Sequence, residues 1–174
     1  ALLVLAGLLP LMQGCQKIEA RTKFKEGNAE YKVEHFKEAL ELFEQGLGMD
    51  PDATFVWRSV GLSAMAMFKP GNKNPENLAF ADKAIEAFKK YLADFPESEK
   101  SLEYLINTYI NADRIEDAMV VLREFSQAHP DRGDIQRMLV TILTKGGKIQ
   151  EALDWANQHE LCKNDPEVFY TIGV

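Results

Sequence analysis

In the segment FKEALELFEQGLGMDP, residues 36–51, small and apolar residues fall on a helical spacing: Ala39 and Phe43 stand four apart, and Pro51 follows eight residues later. Residues four apart lie one above the other on a helix, so the alanine and the aromatic share a face, and a proline cannot continue the helix. The same skeleton recurs down the chain. Ala39, Ala84, Ala118 and Ala152 are separated by 45, 34 and 34 residues; Phe43, Phe88 and Leu122 follow the first three at one offset; Pro51, Pro96 and Pro130 repeat the 45 and the 34. This periodicity predicts a repeated helical unit, with small residues such as Gly27, Gly61, Ala39 and Ala118 at recurring places where backbones can approach closely. One unit cannot bury its own apolar face, so neighbouring units must stack, and the predicted class is an all-α solenoid.

Repeats starting at Ala20, Thr54, Glu99 and Gly133 align a glycine at position 8, alanine at 20, an aromatic near 24 and proline at 32. The first has Gly27, Ala39, Phe43 and Pro51, and the second Trp57, Gly61, Ala84, Phe88 and Pro96. The third keeps Leu105, Tyr109, Ala118, Leu122 and Pro130, with Ile106 in place of the glycine. The fourth keeps Leu139, Leu143, Gly147 and Ala152, puts Ala156 in the aromatic slot and delays its proline by two residues to Pro166. This pattern resembles the tetratricopeptide repeat family over essentially all of the chain beyond residue 20. The resemblance implies a right-handed superhelix of stacked antiparallel helix pairs, each a hairpin of helices A and B, with repeats at 20–53, 54–98, 99–132 and 133–165. Residues 166–174, beginning PEVFYTIGV, open a fifth repeat, and the array is expected to run on beyond Val174.

The second repeat holds 11 extra residues, expected around KPGNKNPEN, 69–77. Pro-Gly makes a turn there, Asn74 suits a helix N-cap and Pro75 the first helical position, so helix B should begin about one turn early. The segment reads as a longer surface turn; a dedicated binding loop is the other reading.

Residues 1–14, ALLVLAGLLPLMQG, carry no charge and end at Cys15, after which a polar chain begins. The run falls short of the roughly 20 residues a spanning helix needs and matches the hydrophobic region of a signal peptide. Met12-Gln13-Gly14-Cys15 resembles the lipobox of bacterial lipoproteins, departing from it at Met12, where Leu is usual, and at Gln13, where a small residue is usual. The resemblance implies a signal peptide over 1–14, a lipidated Cys15 followed by a linker over 15–19, and a membrane anchor made of acyl chains. It places the protein on the periplasmic side of a bacterial envelope, with the outer membrane favoured by Gln16 in a Gram-negative cell. On this reading the chain has lost its first few residues. A buried hydrophobic N-terminal helix with an incidental cysteine is the alternative.

With 174 residues, 46% of them hydrophobic and 27% charged, the chain has the apolar content of one folded repeat array. A net charge of −7 argues against a general nucleic-acid or anionic-membrane binder. Two cysteines, Cys15 and Cys162, make no disulfide framework. No nucleophile elbow, phosphate loop or metal-ligand spacing stands out, and no cofactor or metal is expected. Lys145-Gly146-Gly147-Lys148 lacks the upstream glycine and the following Ser or Thr of a phosphate loop, and falls where the turn between helices A and B belongs. His35, His129 and His159 read as surface or helix-end residues, Cys162 as a partly buried thiol near the end of the fourth helix B, and Glu38, Glu41 and Glu44 as a solvated face.

Recognition remains. In the family that the pattern resembles, helix A lines the concave side, mainly through repeat positions 2, 5, 6, 9, 12 and 13. Carried onto this chain, these give a partner-binding groove of Arg21, Phe24, Lys25, Asn28, Tyr31 and Lys32, then Phe55, Arg58, Ser59, Leu62, Met65 and Ala66. The third repeat adds Lys100, Glu103, Tyr104, Asn107, Ile110 and Asn111; the fourth Asp134, Arg137, Met138, Thr141, Thr144 and Lys145; the fifth Glu167, Tyr170 and Thr171. Seven of these are basic and three acidic, so a basic, aromatic-bearing trough is expected in an otherwise acidic body. Such a trough suits a peptide with acidic groups and apolar anchors. The carboxylate clamp of cytoplasmic co-chaperones in this family is a poor fit: its five places hold Phe24, Asn28, Ser59, Lys100 and Tyr104, of which two match.

The expected function is a non-catalytic scaffold, lipid-anchored, that holds a protein or peptide partner from the envelope in its groove. A substrate-recruiting arm of an enzyme whose catalytic domain lies beyond Val174 is the alternative, and self-association is a third reading.

Overall fold

The computed structural model describes residues 9–173, with side chains from Gly14 onward. Most of the expected signal peptide, 1–14, lies outside the described residues, as does Val174. Among the described residues there are ten α-helices and no strand, in two compact units: up to Ala112, and from Asp113 on.

The first unit holds α1 (Leu9–Lys32), α2 (Phe36–Met49), a 3-10 turn (Thr54–Val56), α3 (Trp57–Met67), α4 (Pro75–Asp94) and α5 (Glu99–Asn111). The pairs α1/α2 and α3/α4 are the predicted hairpins, and α5 packs on α4. Their small residues act as notches for rings. A Cβ on Gly27 would come 2.9 Å from the Phe43 ring, and one on Gly61 would come 2.7 Å from the Phe88 ring. The contact in the first pair is reciprocal, because the Phe24 ring sits on Gly46, where a Cβ would be 2.3 Å away. Phe43 and Phe88 are almost wholly buried, which contributes roughly 1.5–3 kcal/mol for each ring removed from water.

Residues 15–19, expected as a linker, are helical: α1 runs unbroken from Leu9. Gln16, Lys17 and Glu19 are straight-chain residues that lose little freedom in a helix. Lys17 also ties this extension to the turn after α2, with Nζ 3.2 Å from Asp52 and 3.6 Å from Asp50.

The extra residues of the second repeat lie where the turn signals put them. Asn74 caps α4, its side chain accepting from the Glu76 N–H, with Pro75 at the first turn. Helix α4 starts nine residues before Ala84, whereas α2 starts three before Ala39, so the extension is six residues, about 1.7 turns rather than the one expected. The loop before it is held by buried Asn77, whose Oδ1 accepts the Lys69 N–H at 2.8 Å and whose Nδ2 donates to the carbonyls of Lys69 and Asn72.

The second unit holds α6 (Ile115–Ala128), α7 (Gly133–Lys145), α8 (Ile149–Gln158), α9 (Glu160–Lys163) and α10 (Pro166–Ile172). Lys145–Lys148 is the turn between α7 and α8, with Gly147 at φ +75°. Its counterparts fifteen residues into the first and third repeats, Glu34 and Asp113, also have positive φ, at 64° and 60°. A left-handed residue closes helix A in each of these three repeats.

Cys162 is fully buried, but in α9 rather than in helix B itself. Helix B of the fourth repeat stops at Gln158 because His159 is extended, at φ −108° and ψ 115°, and a short helical turn follows. That break takes up the two residues by which Pro166 is delayed. His159 stacks on Trp155 at 3.9 Å and its Nδ1 lies 2.8 Å from the Trp155 carbonyl oxygen. His35, His129 and His159 all stand at helix ends, as expected.

Candidate partner-binding groove

Helices α1, α3 and α5 are the A helices of the first unit, and side chains of α3 and α5 meet at the Tyr104 ring. Tyr31 of α1 is half-buried, edge-on to Phe36 at 5.3 Å. Burial first, then Tyr104, pushes the Tyr31 phenol above its ordinary pKa, against the pull of Arg58. Arg58 lies 5.9 Å and Lys100 Nζ 5.4 Å from the centre of the Tyr104 ring, which packs on Phe88 at 5.8 Å. A cation over an exposed ring contributes about 0.5–1 kcal/mol, enough to hold Arg58 in place without neutralising it. Leu62 is half-buried on α3, and Asn107 is exposed on α5.

Toward the N-terminal side of the same unit, an open cavity of about 470 Å³ is lined by Arg21, Phe24, Lys25, Asn28, Ala29, Lys32 and Phe55. Residues 21, 25, 28 and 32 follow the spacing of one helical stripe. Phe55 is carried on the 3-10 turn before α3 and meets Phe24 edge-on at 6.2 Å. Phe24, expected to face a partner, is only 6% exposed. Its ring is spent on the Gly46 notch and only its edge reaches the cavity.

In the second unit, Arg137 and Thr141 of α7 share a groove of about 220 Å³ with Val140, Glu167, Val168 and Thr171. Three of its polar side chains are already engaged. Arg137 pairs with Asp165 at 3.5 Å, the Thr141 hydroxyl donates to the Arg137 carbonyl at 3.1 Å, and that of Thr171 donates to the Glu167 carbonyl at 2.8 Å. Asp134 is held by Arg132, which keeps its carboxyl below the ordinary carboxylate range. Lys145 is exposed in the last turn of α7. The expected basic surplus is therefore sited on the first unit, where Arg21, Lys25, Lys32, Arg58 and Lys100 face one carboxylate, Glu103. Glu103 pairs with Lys100 at 2.6 Å, and that pairing holds the lysine proton above its usual pKa.

The candidates for chemistry stay separate. Among the described residues no group of three or more His, Cys, Asp or Glu is placed to hold a metal. Burial raises the Cys162 pKa, and the thiol lies 3.9 Å from Gln136 Oε1. Cys15 is exposed on α1. Among the described residues no helix is long and apolar enough to cross a membrane. A second open groove, of about 450 Å³, lies at the insertion against Lys37, Met67, Lys69, Asn72 and Phe80. Sequence reasoning placed the loop but not this groove, since Lys37 reaches it from α2, some thirty residues upstream.

Neither protein-family models nor curated proteins give a match to this chain. Solved structures do. The MamA protein is similar at 16% identity and a TM-score of 0.59, over 89% of this chain and 79% of that one. YrrB, a TPR protein with an unusual peptide-binding site, is similar at 17% identity and a TM-score of 0.54, over 87% and 73%. PilF of Pseudomonas aeruginosa is similar at 18% identity and a TM-score of 0.52, over 90% and 67%. At such identities the likeness establishes the fold.

Proposed function

From the tetratricopeptide-repeat fold that this chain adopts, we propose that it is a non-catalytic scaffold that holds a peptide or protein partner on the A-helix face of its first unit. The observation that carries the reading is the packing of Arg58 of α3 and Lys100 of α5 over the Tyr104 ring, together with the cavity that Arg21, Lys25 and Phe55 line on the same unit. Aromatic and arginine side chains supply most of the energy of protein interfaces, and here they are placed together on a rigid stack. YrrB, alike in fold, carries a peptide-binding site, which supports the same use of the surface.

The scaffold is anchored through acyl chains on Cys15 and works at the periplasmic side of a bacterial envelope, in assembly of envelope proteins. The lipobox-like Met12-Gln13-Gly14-Cys15 and the exposure of Cys15 support this part. Each buried methylene of such a chain adds about 0.8 kcal/mol of membrane affinity.

One experiment addresses both parts: affinity capture from native envelopes with the wild type, Arg58→Glu, Arg137→Glu and Cys15→Ser. Arg58→Glu should weaken partner capture with helical content unchanged, and Arg137→Glu should do less, because Asp165 already engages that guanidinium. Cys15→Ser should move the protein to the soluble fraction. Capture indifferent to Arg58→Glu would remove the groove from consideration, and a mature N-terminus without acyl mass would remove the anchor.

A further inference from the structure

Arg21, Lys25 and Lys32 share one stripe of α1 and line one cavity, which sets them apart from Lys37, Lys69 and Lys89, the cations elsewhere on the first unit that also have no carboxylate partner among the described residues. Lys17, Lys23, Lys83, Lys90 and Lys100 each pair with a carboxylate. Arg21, Lys25 and Lys32 on α1, and Arg58 on α3, have no carboxylate partner among the described residues. Scarcity is not the reason, since the chain has 27 acidic residues against 20 basic ones. Beside the α1 cations Phe55 is 60% exposed, whereas its neighbour Val56 is 3% exposed. Asn28, exposed between Lys25 and Lys32 on the same stripe, gives its Nδ2 to the Phe24 carbonyl at 2.8 Å, which leaves its Oδ1 open to solvent. A row of cations without carboxylate partners, an open amide acceptor and an uncovered ring therefore bound one cavity.

We infer that this cavity takes an acidic protein segment in extended conformation, its carboxylates on Arg21, Lys25 and Lys32 and an apolar side chain on Phe55. The inference rests on the groove reading above and names the chemistry of its ligand. Helical rise sets the register. Arg21 and Lys25 are about 6 Å apart along α1, and Lys25 and Lys32 about 10.5 Å. An extended chain advances about 3.3 Å per residue, so acidic residues at n and n+2 meet Arg21 and Lys25 from one side of the strand. A third at n+6 lies within reach of Lys32, whose stem is long and flexible. Asn28 Oδ1 is placed to accept a backbone N–H of the segment, and Phe55 receives a side chain from among the residues between the acids. A long polyanion such as nucleic acid would meet these cations too, but a body of net charge −7 repels it beyond the cavity. A short acidic segment escapes that repulsion.

Panning a random peptide library on the purified chain tests the inference, with enriched peptides measured by fluorescence anisotropy at low and high salt. The expected outcome is enrichment of two acidic residues separated by one, with an aromatic or aliphatic residue nearby. Arg21→Glu with Lys25→Glu should weaken binding tenfold or more, the milder Arg21→Gln with Lys25→Gln severalfold, and Phe55→Ala severalfold, all with unchanged circular dichroism. High salt should weaken wild-type binding. Peptides without acids, lost in Arg58→Glu but indifferent to the α1 variants, would overturn this inference and leave the groove reading standing. Peptides indifferent to every one of these variants, or no enrichment at all, would bring down the groove reading itself. An oligonucleotide or an anionic phosphatidylglycerol vesicle that binds the same cations more tightly than the peptides would overturn the choice of a protein occupant.

Discussion

In the first helix pair both helices carry bulk and each ring meets a glycine: Phe43 lies on Gly27 and Phe24 on Gly46. In the fourth pair the same repeat positions are filled the other way round. Val140 stands where the glycine belongs and Ala156 where the aromatic belongs, and both are buried, at 1% and 0% exposure. Between these two pairs the bulk has moved from one helix to the other while the contact stays filled, as expected of cores that tolerate rearrangement when total volume is kept; the third repeat, with Ile106 and Leu122 at these positions, carries bulk at both. The two units differ in charge as well. On the first, Arg21, Lys25, Lys32 and Arg58 are unpaired among the described residues, whereas on the second Arg137 is engaged by Asp165 and Asp134 by Arg132. Similar packing thus supports one surface on which basic groups exceed acidic ones and one on which Arg137 is already held by a carboxylate and Lys145 is balanced in number by Glu167.

The volume rule is broken most directly by Ala156→Phe, which restores the repeat's aromatic in a pair that has given its space to Val140. Destabilisation of about 3 kcal/mol is expected, at the upper end of overpacking effects. Adding Val140→Gly should return part of it, and urea unfolding of the single and double variants measures the recovery. Next in size, Gly46→Ala would place a Cβ 2.3 Å from the Phe24 ring and should cost about 1–3 kcal/mol. The companion Gly48→Ala has nothing within 4 Å of the added atom and should stabilise by up to about 1 kcal/mol through helix propensity alone. Equal effects at the two glycines would undo the notch account. Smallest is the turn. Glu34 holds φ 64° where the fourth repeat has Gly147 at φ 75°, so Glu34→Gly should raise stability by up to about 1 kcal/mol despite the added freedom of the unfolded chain. A fall in melting temperature would count against backbone strain there.

Most of the helical order could be read from the chain because its signals are local. Prolines end helices, Asn74-Pro75 starts one, and alanine and aromatic four apart mark a buried stripe. What escaped reading depends on three-dimensional neighbours or on residues that bear no signature. Glu34 and Asp113 take a left-handed conformation that their types do not announce, and Gly147 pointed to only one of the three places. The Gly46 notch is invisible without knowing that Phe24 turns inward, and so Phe24 was assigned to the groove instead of to the core. The groove's charge could be counted along the chain, but its distribution could not. Asp165, which engages Arg137, lies 28 residues away and outside the repeat positions expected to line the groove. The linker at 15–19 was inferred from processing chemistry, which carries no information about whether the same residues are helical.

Because α1 continues without a break from Leu9 to Lys32, the stretch between Cys15 and Arg21 offers no swivel. Six residues of helix separate them by about 9 Å, a strut too short and too stiff to let one end turn independently of the other. Any attachment made at residue 15 therefore dictates the heading of the cations as well as their distance from it, and a glycine pair inserted between the two would trade that fixed aim for free rotation.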